Sequence, residues 1–384
     1  MTSLLWVAVL GGCWTNSVVY EKYRVAKDKA LVVPEAPTGD WEPDVRVEIA
    51  PKLVDDLVAF GLERQGPFRA EVSLQGVGRA TPELVVSELK LSGSKACERC
   101  FGVDLRLAGD VDWRAGLLGE GTVPATARLR FDVELTTERE GTDFVVKALP
   151  RDIRDVSIEV PGWSGAVKRA AMGPIERWLN EQAEKIEPIA VTRFGGEALP
   201  LLAMRVKARG RGLSVQLLSD AATPAVVARD GGRTPDEGFA VWVGYETLVA
   251  LAARQAFLEG PKTYDISAIP TSLEAKRAGF TLGVRLWGLG GAGWWRDYRA
   301  HGGIRVEEGE VRLSPVQVEQ IGMSKGAIEA DPLIHLGQSL VLESITDALR
   351  VTLPNVQELV HGEDRVRTTV TGISGQPDAL WVLG

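Results

Sequence analysis

Two stretches of the chain, 194 residues apart, repeat one order of elements without a gap. In the first, "DVRVEI" alternates Val45, Val47 and Ile49 on one face, and "PKLVDDLVAFGLERQG" then takes up a helical period. Leu53, Leu57 and Gly61, with Val54, Val58 and Leu62, form a stripe that stops at Gly66-Pro67. In the second, "FAVWVGYETLVALAARQAFLEGP" sets Val241 opposite Val47, Val243 opposite Ile49, Leu248 opposite Val54, Leu251 opposite Leu57 and Ala253 opposite Ala59, and stops at Gly260-Pro261. A strand, a helix and a stop recurring in register constrain the chain to two like units. The halves are 44–220 and 238–384, and "SDAATPAVVARDGGRTPDEG" (Ser219 to Gly238) is the joint between them, with 221–237 as linker.

Each half continues in the same way. In "VDLRLAGDVDW", Val103, Leu105, Leu107, Val111 and Trp113 fall on one face, against Asp104, Arg106, Asp110 and Asp112. "ATARLRFDVEL" repeats this with Leu129, Phe131, Val133 and Leu135 against Arg128, Arg130, Asp132 and Glu134. Such alternation predicts antiparallel strands with one dry and one wet face, and "TEREGTD" reads as a charged hairpin tip. After Pro161, Val167, Ala171, Ile175, Trp178, Leu179, Ala183 and Ile186 line a second helix, and "LLAMRVKARGRGLSVQLL" returns to strand. The second half copies the order with strands around Thr281 to Trp287 and Gly303 to Ile321, a helix from Pro332 to Arg350, and closing strands through "RVRTTVTG" and "ALWVLG".

Two halves of strand, helix, antiparallel meander, second helix and closing strands resemble the tubular lipid-binding superfamily, the fold of bactericidal/permeability-increasing protein and its relatives, whose bacterial members include envelope lipoproteins. The resemblance covers nearly all of the mature chain and is carried by element order and duplication. It implies an α+β protein in which each half wraps a highly curved antiparallel sheet around a long helix, the two forming an elongated tube whose dry interior holds acyl chains. Leu57, Leu105, Leu129, Phe131, Trp178, Leu251, Leu282, Val284 and Leu286 would line that interior, and Gly61, Ala252, Ala253 and Ala256 would leave it width. At about 0.8 kcal/mol per buried methylene, one long acyl chain supplies on the order of 10 kcal/mol before binding costs. The same residues equally describe a packed core. Two functions therefore follow: a lipoprotein that binds, sequesters or transfers lipids or other hydrophobic molecules, and a non-enzymatic envelope scaffold or interaction protein with a closed core.

The N-terminus bears on location. "VAVLGGC" ends a short apolar run in Leu10-Gly11-Gly12-Cys13, which resembles the lipobox of bacterial lipoproteins, although Met1 to Ser3 contain no Lys or Arg. The expectation is a signal peptide over 1–12, lipid attachment at Cys13 and a tether over 13–43, rich in Pro and acidic residues. A short strand with a buried Cys is the other reading. Trp14 stands where the inner-membrane retention signal of some bacteria has Asp, which points to the outer membrane, facing the periplasm. Cys97 and Cys100 in "KACERCFG" lack a second ligand pair for zinc and are followed by a strand pattern, so a local disulfide pinning a turn is expected.

Catalytic, metal and cofactor chemistry is not expected. The three histidines, His301, His335 and His361, are far apart and read as turn or helix-start residues. Ser164 in "PGWSGA" reads as a helix N-cap, and Asp55-Asp56 and Glu307-Glu308 as solvated charge. A net charge of −8 and a pI near 5.3 argue against a nucleic-acid partner, and "VKARGRG" alternates basic and small residues like the outer face of a strand. Gly288, Gly290 and Gly293 in "LWGLGGAGWWRDY" match G-x-G-x-x-G, yet a half-exposed strand precedes them and no helix follows, so they read as a hairpin tip. Trp287, Trp294 and Trp295 beside that tip suit a bilayer interface, a cavity mouth or a cap over the core.

Overall fold

Val47 and Val241, aligned by the expected repeat, face each other across an antiparallel ladder at the centre of the molecule. In this computed structural model the strands are β1 (Val45–Ile49), β2 (Phe68–Arg69), β3 (Val72–Leu74), β4 (Gly78–Gly93), β5 (Cys100–Arg114), β6 (Glu120–Glu140), β7 (Asp143–Glu159), β8 (Ile189–Gly195), β9 (Leu201–Arg209) and β10 (Gly212–Ser219). They continue as β11 (Phe239–Gly244), β12 (Ile266–Lys276), β13 (Gly279–Gly288), β14 (Trp294–Glu307), β15 (Glu310–Met323), β16 (Glu358–His361), β17 (Asp364–Arg367), β18 (Gly372–Gly375) and β19 (Ala379–Leu383). The helices are α1 (Ser17–Leu31) and α2 (Tyr245–Glu259). The residues described are 17–56, 67–69, 71–74, 78–114, 119–161, 165, 173–178, 181, 189–195, 200–221, 235–261, 265–290, 293–307, 310–324, 358–361, 364–367, 371–375 and 379–384.

The central sheet has the order β18-β19-β11-β1-β10-β9. Val45 pairs with Val243 and Ile49 with Phe239, while Val47 also meets Val215 and Val241 also meets Val382. Val45, Val47, Val215, Val241 and Val382 are at most 1% exposed, which makes this sheet the middle of the core. Each such side chain contributes about 1.5–3 kcal/mol by leaving water.

On one side lies a sheet ordered β2-β4-β5-β6-β7-β8, with β3 also on β4. Its long strands carry bulges at Val86/Glu88, Arg130/Asp132 and Val146/Lys147, each of which adds twist, and the sheet curls into a half-barrel. On the other side β12-β13-β14-β15 form a four-stranded sheet, and "GGIRV" proves to be the end of β14 rather than the start of a separate strand. The turn between β4 and β5 is held by a Cys97–Cys100 disulfide. Its carbonyls reach outward: Glu98 accepts from the Ala208 N–H at 2.8 Å and Arg99 from the Leu135 N–H at 2.9 Å, so the turn joins the curled sheet to β9.

The segment 13–43, read as a tether, contains α1, and of its described residues 32–43 run without helix. Val19, Tyr23, Ala26 and Ala30 recur at helical spacing and pack on Phe257 and Trp287. Pro and acidic residues cluster after Leu31, and their composition masked a short amphipathic helix before them. Residues 51–56 and 173–178 are helical, as expected. The remainder of the first helix, Ser164, the linker 222–234 and the predicted helix 332–350 lie outside the described residues.

Candidate functional site

The dry faces of the two sheets meet in one continuous apolar cluster. Across the curled sheet, Leu89, Leu105, Leu129 and Val156 form one row, and Leu91, Val103 and Phe131 the next. On β13, Leu282 pairs with Leu273 and Ala300, Val284 with Pro270 and Tyr298, and Leu286 with Ala268 and Arg296. Of the residues proposed to line an interior, Leu105, Leu129, Phe131, Trp178, Leu251, Leu282, Val284 and Leu286 all belong to this cluster. Leu57 and Cys13 lie outside the described residues. Both flanking sheets hold closely packed and looser positions: Leu84, Leu107, Leu282 and Leu286 are at most 1% exposed, whereas Leu89, Val133, Val156, Val306 and Val318 are only half-buried.

The three tryptophans do not form an exposed tip. Trp287 is 3% exposed, because Tyr23 of α1 covers it with ring centroids 5.8 Å apart. Trp287 and Trp295 share the outer face of the sheet, where Arg285 lies between them, 5.5 and 4.8 Å from the rings, and pairs with Asp297 at 2.6 and 2.8 Å. Trp294 faces the other way and packs on the interior cluster. Alternation along β14 is what divides neighbours 294 and 295. The glycines belong to the β13–β14 hairpin: a Cβ on Gly288 would run into the Trp294 indole, and Gly293 has φ 69°.

The outer face of the curled sheet is a lattice of ion pairs. Arg128 donates to both oxygens of Asp104 and Arg130 to one, which holds the Asp104 carboxyl down at about 2. Glu88 bridges Lys90 and Arg106, and Glu134 bridges Arg99 and Arg151. The basic residues of "VKARGRG" are likewise engaged, Lys207 with Glu98, Arg209 with Glu48 and Arg211 with Asp55. At the start of β1 the Asp44 carboxyl is pushed up by burial, against the opposing pull of the Ser219 N–H at 2.8 Å and the Ser219 hydroxyl.

His301 lies in mid-strand on β14 rather than in a turn, its Nδ1 3.0 Å from the Thr281 hydroxyl. It borders a surface groove of about 750 Å³ with Lys276, Arg277, Phe280 and Gly375. His361 closes the β16–β17 hairpin opposite Asp364, and His335 is outside the described residues. Among the described residues no cluster of metal-ligating side chains occurs and no helix is long and apolar enough to cross a membrane.

Sequence reasoning passed over Arg296 and Tyr298. Both are on the inner face of β14, 3% and 4% exposed, and the Arg296 Nε and Nη2 and the Tyr298 hydroxyl are buried without a hydrogen-bond partner. The signal was present in "WWRDYRA", where strand alternation puts Arg296 and Tyr298 on the same face as Ala300.

No protein-family model matches the chain, and no curated protein sequence matches it significantly. Among solved structures, a lipopolysaccharide binding protein is similar over 89% of this chain and 98% of its own, with 12% identity and a TM-score of 0.38. P47 of Clostridium botulinum E1 is similar over 90% of this chain and 99% of its own, at 8% identity and a TM-score of 0.43. P47 from Clostridium botulinum A2 covers 89% and 97%, at 8% identity and a TM-score of 0.40.

Proposed function

We propose that the protein is an envelope lipoprotein that binds, sequesters or transfers lipids or other hydrophobic molecules on its dry interior. The observation that carries this is the single apolar cluster running from the half-barrel sheet through the central sheet to β12–β15, lined by the rows of Leu89, Leu105 and Leu129 and of Leu282, Val284 and Leu286. A core of this length with half-buried Leu89, Val133 and Val156 on the concave face leaves apolar surface for a guest. Duplication is part of the reading. The order β18-β19-β11-β1-β10-β9 reads alike from either end, and the Val47–Val241 pair sits where a two-fold axis between equivalent strands would pass. Attachment at Cys13, export and an outer-membrane position facing the periplasm belong to the same proposal, as does the absence of an enzymatic step.

Organic extraction of the purified full chain, followed by mass spectrometry of the extract and titration with a fluorescent fatty acid, tests the binding. A chain that yields no bound lipid and takes up no probe defeats it. Labelling of cells with a palmitate analogue is expected on the wild type and not on Cys13→Ala; label retained in the variant removes the anchor from the proposal.

A scaffold with a closed core is the second reading. Leu84, Leu107, Leu248, Leu282 and Leu286 at no more than 1% exposure favour it, because at these positions the interior is filled by the protein's own side chains.

A further inference from the structure

We propose that the inner face of β14 holds the anionic headgroup of an amphipathic ligand, with the Arg296 guanidinium and the Tyr298 hydroxyl as its donors. This rests on the interior being a binding surface.

Among the described residues the fully buried charges are Asp44, Arg46, Glu48, Asp132, Asp220 and Arg296. Arg46 pairs with Glu48, Asp44 accepts from Ser219, Asp220 takes Arg254, and Asp132 is also engaged. Arg296 differs. Its Nε and Nη2 meet no acceptor, and its one aromatic contact is the Trp294 ring, 5.6 Å away. The carboxylate next to it in sequence, Asp297, points to the opposite face and is committed to Arg285 at both oxygens. Arginine does not shed its proton to escape burial, so a guanidinium left in this position is a charge without its counter-ion.

Tyr298 repeats the pattern two residues on, with a buried hydroxyl that has no partner. The two side chains leave the same face of one strand about 7 Å apart at the backbone, a distance their lengths can close around a carboxylate or phosphate. The guanidinium fork matches two oxygens of such a group, and the phenol supplies a third donor.

The surroundings suit an amphiphile rather than a free ion. Leu286 and Val284 flank the pair on β13, and Met323, opposite Arg296 on β15, is 49% exposed. Apolar surface therefore opens to solvent beside the buried cation. An anionic group bound at Arg296 would lay its chain against Met323 and the Trp294 indole, removing that surface from water as it neutralises the charge.

The test is titration of the full chain at pH 8 with 12-(9-anthroyloxy)stearic acid and with its methyl ester, which carry the same tail. The acid is expected to bind about tenfold more tightly or better, consistent with a charge-assisted bidentate pair. Arg296→Met should abolish that preference, bringing the acid down to the affinity of the ester, and should raise the Tm of the ligand-free protein by removing an unpaired buried charge. Tyr298→Phe should reduce the preference by a few-fold. Dodecyl phosphate should displace the bound acid, and inorganic phosphate at the same concentration should not. Arg296→Lys keeps the charge without the fork, and its expected intermediate preference serves if the Met variant fails to fold.

Acid preference that persists in both Arg296 variants, or equal affinity for acid and ester in the wild type, overturns the headgroup site and leaves the binding interior standing. Displacement by inorganic phosphate also overturns it, in favour of a free-anion site. Failure to bind either probe brings down the binding interior together with this site.

Discussion

The two sheets flanking the centre are built from the same alternating strands and treat their outer faces in opposite ways. On β5, β6 and β7 the outer residues are Asp104, Arg128, Arg130, Asp155 and Glu134, tied into a lattice that remains in water. On β12 and β13 the outer residues include Ile269 and Trp287, 5% and 3% exposed, because α1 lies over them and α2 closes in with Ala253, Ala256 and Phe257. The half-barrel sheet is therefore dry on one face and wet on the other, while the four-stranded sheet is covered by helix on its outer face at β12 and β13 and opens to solvent at Ile321 and Met323 of β15. Strands covered on both faces have little room to part for a guest; those that border water can move to admit one. The contrast puts the rigid part at β12 and β13, and the room to move at the half-barrel sheet and at the β14–β15 edge beside Met323.

The largest effect is expected from cavities. Leu282→Ala removes a side chain 1% exposed and should cost about 3 kcal/mol, whereas Leu89→Ala, at a half-buried position, should cost about 1 kcal/mol. Equal losses by denaturant unfolding would end the contrast. Next, Tyr23→Ala should cost about 2–3 kcal/mol through the contacts to Phe257 and Trp287, and amide exchange should quicken in α1 and at Trp287 while the half-barrel strands stay protected. Uniform loss of protection would mean that α1 supports the whole fold.

The smallest effect concerns the ion-pair lattice. Asp104 is held below its ordinary value of 3.8, at about 2, so its contribution is complete above about pH 4 and is lost as pH falls through 2. With the carboxylate partly in water, Asp104→Asn should cost no more than about 1 kcal/mol at pH 6, and variant and wild type should converge by about pH 1. A difference that persists undiminished at about pH 1 would show that packing, and not charge, is responsible.

Much of the fold was legible. The period-two runs around Leu105 and Leu129 fixed which face is dry, the cysteine pair fell at a strand turn, and the shared positions Val47 and Val241 turned out to be paired neighbours. The helix within the tether went unseen, and the choice among interface, cavity mouth and cap for the tryptophans stayed open, for one common reason. Composition around residues 32–43 outweighed the spacing of Val19, Tyr23 and Ala26, and without α1 in place nothing indicated that Trp287 would be covered. The candidate site was half legible: leucines announce themselves by period, but Arg296 reads as an ordinary strand arginine until its neighbours are known.

By itself the sequence determined the elements and the sidedness of each strand, since backbone alternation and helical period are local and carry their apolar pattern wherever the strand is placed. Only the tertiary structure decided what covers each face and which charges find partners. Arg285 and Arg296 lie on adjacent strands, and each is near Asp297 in sequence or across the ladder. One is neutralised and the other buried alone, because the pleat turns that carboxylate to a single side.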